Sequence, residues 1–171
     1  TKYYYRVNSR KHGLTAITNR PEHSFHTQRP AGSTFTFGVQ GDSHPERSGL
    51  MFNADLYALN MRNAAAERPD FYVALGDDFS VERLLDNGTW SAATINQLYA
   101  TQRNWFGLVG HSSPVFLVNG NHEQAARYLL DGTPDNVAVW AQNARNLYYA
   151  QPAPDDFYSG NGEPVEHIGL L

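Results

Sequence analysis

The chain contains no cysteine. This absence excludes disulfide bonds, thiolate metal sites and a cysteine nucleophile, and it leaves the redox compartment of the protein undetermined. No apolar run approaches the roughly 20 residues that a membrane-spanning helix needs. Positive charge is also scarce, and a net charge of -4 argues against a general nucleic-acid binder, which usually carries a basic stripe. A bound phosphate would therefore be held by metal ions rather than by a basic patch.

The remaining composition is that of a folded domain. The chain has 171 residues, of which 41% are hydrophobic and 13% aromatic, enough for one ordinary core. It opens on an aromatic run, Tyr3–Val7, that is typical of a strand interior, whereas residues 8–33 are polar and loop-like. We therefore expect residues 1–33 to be the tail of a small β domain plus a linker. Residues 34–171 are expected to be the N-terminal part of a second domain that continues in the natural protein.

Strands and helices alternate through the second domain. Short apolar runs at residues 35–40, 71–75 and 114–118 predict three strands, and the middle run is apolar enough to be buried on both faces. Helical spacing predicts one helix from Leu50 to Ala65 and another from Ser91 to Phe106. This order indicates an α/β fold in which a β-α-β-α-β unit pairs its strands in parallel.

Each predicted strand ends in a short polar island that begins with glycine. The islands are Gly41-Asp42-Ser43-His44, Gly76-Asp77-Asp78 and Gly120-Asn121-His122-Glu123. Ligands of open parallel sheets bind outside the carboxyl ends of the strands, so the islands should meet at one edge. Carboxylate, imidazole and amide groups there are metal ligands, and two divalent ions about 3.5–4 Å apart can clamp a phosphate and lower the pKa of a bridging hydroxide. The islands therefore predict a two-metal phosphate site.

Asp-x-His, Gly-Asp and Gly-Asn-His-Glu, in this order, resemble the signature of the calcineurin-like metallophosphoesterase superfamily. The resemblance covers about residues 34–125 and implies half of a metallophosphoesterase sandwich that hydrolyses phosphoric mono- or diesters. It implies that Asp42 and His44 bind one metal ion, Asp77 bridges, Asn121 binds the second, and His122 is the catalytic histidine. The implied cofactors are two divalent or trivalent ions of manganese, iron or zinc, and the implied partner is a small phosphate-ester substrate.

The opening strand and linker also resemble the purple acid phosphatase-like branch, in which a small fibronectin-like β domain comes first. Two departures, one from this branch and one from the superfamily, limit what the resemblances imply. Ser80 stands where that branch has a tyrosine ligand for ferric iron, so a ferric-tyrosinate centre is not expected. The superfamily also completes its metal sites with a later Gly-His-x-His block, and residues 1–171 contain none. The isolated chain is therefore expected to behave as a truncated fragment that binds metal poorly and is inactive alone.

Several alternatives stay open. Asp42, Asp77 and Asn121 are common helix and turn caps, and the same edge could belong to a non-catalytic domain that binds a phosphorylated ligand or a protein. Asp78 and Glu123 either support the histidines or are solvated carboxylates. Family resemblance favours an extracellular or periplasmic location, while substrate, metal identity and oligomeric state are not predicted.

The other histidines are expected to be less informative. His23 and His26 lie in the polar segment and are interpreted as solvated loop residues. His111 is interpreted as a loop residue, and His167 is the one later histidine that could supply a missing ligand.

Overall fold

The computed structural model of the protein describes residues 1–123 and 131–150. Its strands are β1 (Lys2–Ser9), β2 (Thr18–His26), β3 (Phe37–Gln40), β4 (Phe71–Ala74) and β5 (Val115–Leu117). Its α-helices are α1 (Ala54–Ala66), α2 (Glu82–Asp86), α3 (Ala92–Gly110) and α4 (Val137–Tyr148), and a 3-10 turn covers Pro45–Arg47. The predicted α/β class is therefore confirmed.

Strands β3, β4 and β5 form one parallel sheet in that order. Val39 pairs with Val73, and Val73 pairs with Phe116, so these apolar side chains share one face of the sheet. Helix α1 connects β3 to β4, and α2 and α3 connect β4 to β5. This is the predicted parallel β-α-β-α-β arrangement, and it brings the carboxyl ends of all three strands to one edge.

The core lies on the face of the sheet that carries Tyr72 and Ala74. These two residues pack with Met61 of α1 and with a stripe of α3, and α4 packs against α3 from outside. The stripe on α3 has helical spacing: Ile95, Tyr99, Gln102, Phe106 and Val109. The opposite face of the sheet is half-exposed, with Phe37 at 51% and Phe116 at 49%. In the middle strand β4, Tyr72 and Ala74 are buried on the core face and Phe71 and Val73 are partly buried on the other, so the prediction of burial on both faces is met only in part among the described residues.

Capping residues move the helix boundaries away from the predicted ones. Leu50 is 87% exposed and precedes α1, which begins after Asn53 because the Asn53 side chain accepts a hydrogen bond from Leu56 N. Ser91 and Thr94 form a capping box that starts α3, which then extends past Phe106 to Gly110. Within the described residues, no helix is both long and apolar enough to cross a bilayer.

The N-terminal residues form an antiparallel hairpin. Strand β1 was expected, but β2 replaces part of the predicted loop at residues 8–33. Its polar sequence includes Pro21, which lies where the pairing register shifts between Arg6 and Asn8. Proline lacks an N–H and is tolerated at such an irregularity. The loop interpretation of residues 18–26 is therefore wrong, because pairing with β1 outweighs the low strand propensity of these residues.

The hairpin packs against the end of α3. The Tyr5 hydroxyl donates a 2.6 Å hydrogen bond to the His111 carbonyl, and the rings of His23 and His111 stack with centroids 4.6 Å apart. His23 is thus half-buried in β2 rather than a solvated loop residue, and His111 caps α3. His26 is exposed at the end of β2.

The glycines at the strand ends are not equivalent. Gly76 has φ 106°, and a Cβ added to it would overlap the Gly120 backbone, ending 2.6 Å from Gly120 Cα. A Cβ added to Gly41 would make only an ordinary 3.6 Å contact with Leu75. The backbones after β4 and β5 therefore approach too closely to accept a side chain at Gly76.

We expect Gly76→Ala to lower the free energy of unfolding by about 2–5 kcal/mol, because left-handed strain and overpacking add. Gly41→Ala, the matched control, should change it by less than about 1 kcal/mol. Urea denaturation of both variants measures the difference. Equal stability of the two variants would contradict the close approach of the two loops.

The contact between His23 and His111 predicts a pH dependence. Burial, and secondarily the nearby His23, lowers the pKa of His111 below 6.5. The unfolded chain then binds more protons than the folded one, so stability is lost as pH falls from about 6.5 toward the lowered pKa. Between pH 7.5 and 5.5, the free energy of unfolding of His111→Gln, measured by urea denaturation, should fall less than that of wild type. His12, which is exposed in the turn between β1 and β2, provides the control, and His12→Gln should show the same fall as wild type. If stability depends on pH in the same way in His111→Gln and wild type, His111 is not the cause of the pH dependence.

Candidate metal centre

The polar islands meet at the carboxyl edge of the sheet. Backbone hydrogen bonds continue the sheet past its strands: Asp42 N–H donates to the Gly76 carbonyl at 3.0 Å, and His44 N–H donates to the Asp77 carbonyl at 3.1 Å. On the other side of β4, Val118 N–H donates to the Ala74 carbonyl at 2.8 Å. The first two islands are therefore held together by main-chain bonds.

Unusual backbone conformations mark this edge. Among the described residues, only four other than glycine have positive φ: Asp42 (55°), His44 (43°), Arg68 (52°) and Asp77 (59°). Three of them belong to the islands. Such conformations are costly for residues with a Cβ and concentrate at functional sites. The backbone thus singles out three of the residues that the sequence predicts to bind metal.

His44 is oriented by a carboxylate. Its Nδ1 lies 2.8 Å from Glu46 Oε1, and its side chain is only 9% exposed. Its other nitrogen, Nε2, lies 3.8 Å from Asp42 Oδ1 and 3.9 Å from Asp77 Oδ2. A histidine whose Nδ1 is held by a carboxylate while Nε2 faces carboxylate oxygens has the arrangement common for metal-binding histidines. The donor set therefore fits a divalent cation.

His122 joins the same group from the third island. Its backbone N–H donates to Asp77 Oδ1 at 3.0 Å, and its ring meets the His44 ring edge-on with centroids 4.7 Å apart. One potential ligand atom from each of His44, Asp77 and His122 lies within 4.8 Å of the others. The His122 Nδ1 atom also lies 3.2 Å from Glu82 Oε1 at the start of α2.

The other two predicted ligands lie at the outside of this group. The Asp42 side chain is 78% exposed, although its Oδ1 faces His44. Asn121 is exposed in the turn just before His122. The structure therefore groups His44, Asp77 and His122, with the largely exposed Asp42 side chain beside His44 and Asn121 exposed in the turn before His122.

Glu123 is buried and binds backbone rather than solvent. Its two oxygens accept hydrogen bonds from four main-chain N–H groups, which belong to Asp77, Asp78, Phe79 and Gly120. The interpretation of Glu123 as a solvated carboxylate is therefore wrong. It does support the site, but its hydrogen bonds go to the backbone of the two loops.

Asp78 is also buried, at 2% exposure. Gln40 Nε2 donates to Asp78 Oδ1 at 3.0 Å and to the Tyr57 hydroxyl at 2.9 Å. Burial, with the negative charge of Glu123 as a further cause, raises the pKa of Asp78 to about 7. Burial also raises the pKa of Tyr57 to about 12. Asp78 thus belongs to a polar network beneath the edge.

Sequence reasoning missed Glu46 and Glu82. Both lie in short helical segments whose positions relative to the histidines depend on the loops. A carboxylate two residues after His44 was the one available signal, since that spacing lets Glu46 reach the ring.

Ser80 is buried, at 1% exposure. His167 lies outside the described residues.

Two comparisons with known proteins bear on the family of the chain. No curated protein sequence matches the chain. The family model for calcineurin-like phosphoesterase matches residues 35–169, which is most of the chain and includes all three islands. The protein therefore belongs to the calcineurin-like phosphoesterase family.

Proposed function

We propose that this protein hydrolyses phosphoric esters at a dinuclear metal centre built on the carboxyl edge of the sheet. One juxtaposition supports this function most directly: potential ligand atoms of His44 and Asp77 and a ring nitrogen of His122 lie within 4.8 Å of one another. His122 therefore lies beside the proposed ligands, within reach of a group that they hold. Membership of the phosphoesterase family supports it independently. The substrate is a small phosphate mono- or diester.

Four residues are proposed as metal ligands. Asp42 and His44 hold the first ion, Asp77 is shared, and Asn121 contributes to the second. When bound, manganese, iron or zinc ions supply positive charge for the phosphate and lower the pKa of a coordinated water. Asp77 Oδ1 accepts the His122 N–H while Oδ2 faces His44 Nε2, so one carboxylate links two islands. This central place between the other two islands supports the choice of Asp77 as the shared ligand.

His122 is proposed as the residue that contacts the phosphate ester. Its backbone N–H is bound by Asp77 Oδ1, and Glu82 Oε1 lies 3.2 Å from its Nδ1. A histidine positioned in this way can donate a proton to the leaving alkoxide or a hydrogen bond to a phosphoryl oxygen. Glu82 is 31% exposed, so it lies where the ring meets solvent.

Asp77→Asn tests the metal centre. We expect it to weaken binding of Mn²⁺ or Zn²⁺ at least about 100-fold, because it removes the charge that two islands share. Calorimetric titration measures the affinity, and hydrolysis of p-nitrophenyl phosphate with manganese, zinc or iron measures turnover. The product of the complete coding sequence is used for both measurements. Asp55→Asn, an exposed carboxylate in the first turn of α1, is the matched control.

Two outcomes would overturn the proposed function. One is an absence of turnover with every metal, together with identical behaviour of Asp77→Asn and wild type. The other is metal binding that Asp77→Asn weakens, without hydrolysis of any phosphate ester, which would favour a non-catalytic phospho-ligand-binding domain.

Glu82→Gln tests the role of His122. We expect kcat to fall about 10- to 100-fold with little change in metal affinity, because the negative charge 3.2 Å from the His122 ring is lost. The loss should be greater for an alkyl phosphate than for p-nitrophenyl phosphate, since a poor leaving group depends more on proton donation. Steady-state kinetics with both substrates measure this, with the exposed Glu67→Gln as control. Equal losses for the two substrates would contradict proton donation by His122.

A further inference from the structure

We propose that Glu123 is a positioning residue that clamps the loop after β4 to the turn after β5 and thereby sets Asp77 against His122. The role of this clamp in metal binding rests on the proposed function. The clamp itself rests on hydrogen bonds between described residues.

One carboxylate oxygen bridges the two loops. Glu123 Oε2 accepts from Asp77 N at 2.8 Å and from Gly120 N at 2.7 Å. These donors belong to different strand ends, so the bridge fixes the separation of the second and third islands. Asp77 Oδ1 repeats the link by accepting from His122 N at 3.0 Å.

The other oxygen completes an anion-binding turn. Glu123 Oε1 accepts from Asp78 N at 2.6 Å and from Phe79 N at 3.0 Å. Three successive N–H groups, from Asp77 to Phe79, thus point at one carboxylate, and the positive φ of Gly76 and Asp77 turns them that way. Such a nest of backbone N–H groups commonly binds an external anion. Here the Glu123 carboxylate occupies the nest, so the three N–H groups hold the loop in place instead of binding an external anion.

The close approach of the loops makes the clamp specific. A Cβ on Gly120 would overlap the Asp77 side chain, and a Cβ on Gly76 would overlap the Gly120 backbone. The backbones of the two loops are therefore in direct contact. Glu123, at 6% exposure, is buried beside this contact and binds both loops. A residue at this position must reach both loops and offer only acceptors to them.

Glutamine cannot meet this demand, although it has the same shape. Its amide has one oxygen and one NH₂ group, and the NH₂ would face two N–H donors wherever it is placed. Glu123→Gln therefore loses either the bridge to Gly120 or the bonds to Asp78 and Phe79. Glu123→Asp keeps the charge but is one methylene shorter.

Amide hydrogen exchange of the metal-free protein tests the clamp without reference to metal. In wild type the N–H groups of residues 77, 78, 79 and 120 should be protected although they lie outside strands and helices. In Glu123→Gln they should exchange at least about 10-fold faster, while Val73 within β4 keeps its rate. Glu67→Gln, the same change at an exposed site, should alter none of them. Unprotected amides in wild type would overturn the proposal even if the variant failed to fold.

Metal titration tests the purpose of the clamp. In the product of the complete coding sequence, Glu123→Gln and Glu123→Asp should each bind Mn²⁺ about 10- to 100-fold more weakly than wild type, since an outer partner orients the ligands. Wild-type affinity in a variant whose four amides exchange faster would overturn the positioning role. If wild type itself binds no metal, the proposed function fails, and the exchange measurement still decides whether Glu123 clamps the loops.

Discussion

The close contact between the backbones after β4 and β5 is the constraint on which the rest of the site depends. Gly76 admits no side chain against Gly120, so the two loops pack main chain to main chain. This contact brings Asp77 and His122, which are 45 positions apart, within one 3.0 Å hydrogen bond. The parallel sheet brings the two strand ends to the same edge. The glycines then allow the two backbones to come into direct contact.

The strained conformations at this edge persist because the surrounding structure holds them. Non-glycine residues in rare backbone regions cost on the order of 1–3 kcal/mol each, and Asp42, His44 and Asp77 are such residues. Hydrogen bonds to a charged group contribute about 1.5–3 kcal/mol each, and the Glu123 carboxylate accepts four. The Glu123 carboxylate therefore offsets the strain at Asp77. Asp42 and His44 are held instead by their main-chain bonds to the Gly76 and Asp77 carbonyls.

Much of the central fold could be predicted because it follows from apolar runs that end in glycine and aspartate. The β-α-β-α-β unit was confirmed, whereas the start of α1 depends on the cap at Asn53 rather than on hydrophobic spacing from Leu50. Strand β2 could not be predicted because its polar residues become a strand only by pairing with β1. Helix α4 was missed because much of its buried face is alanine, which carries little hydrophobic signal. The strand-end residues could be named from sequence, but Glu82 could not, because the path of α2 depends on tertiary packing.

The charge of the edge links metal binding to substrate binding. In the described part of the chain, four carboxylates lie beside the two histidines: Asp42, Glu46, Asp77 and Glu82. Arg83 and Arg47 are engaged at Glu46, since Arg83 donates to its carbonyl at 2.6 Å and Arg47 lies 3.5 Å from its carboxylate. The buried Arg145 donates to the Leu117 carbonyl at 2.7 Å. A phosphate dianion would be repelled by such an edge until cations offset its charge. For the proposed reaction, metal binding must therefore precede productive binding of the ester, and the acidity of the edge imposes that order.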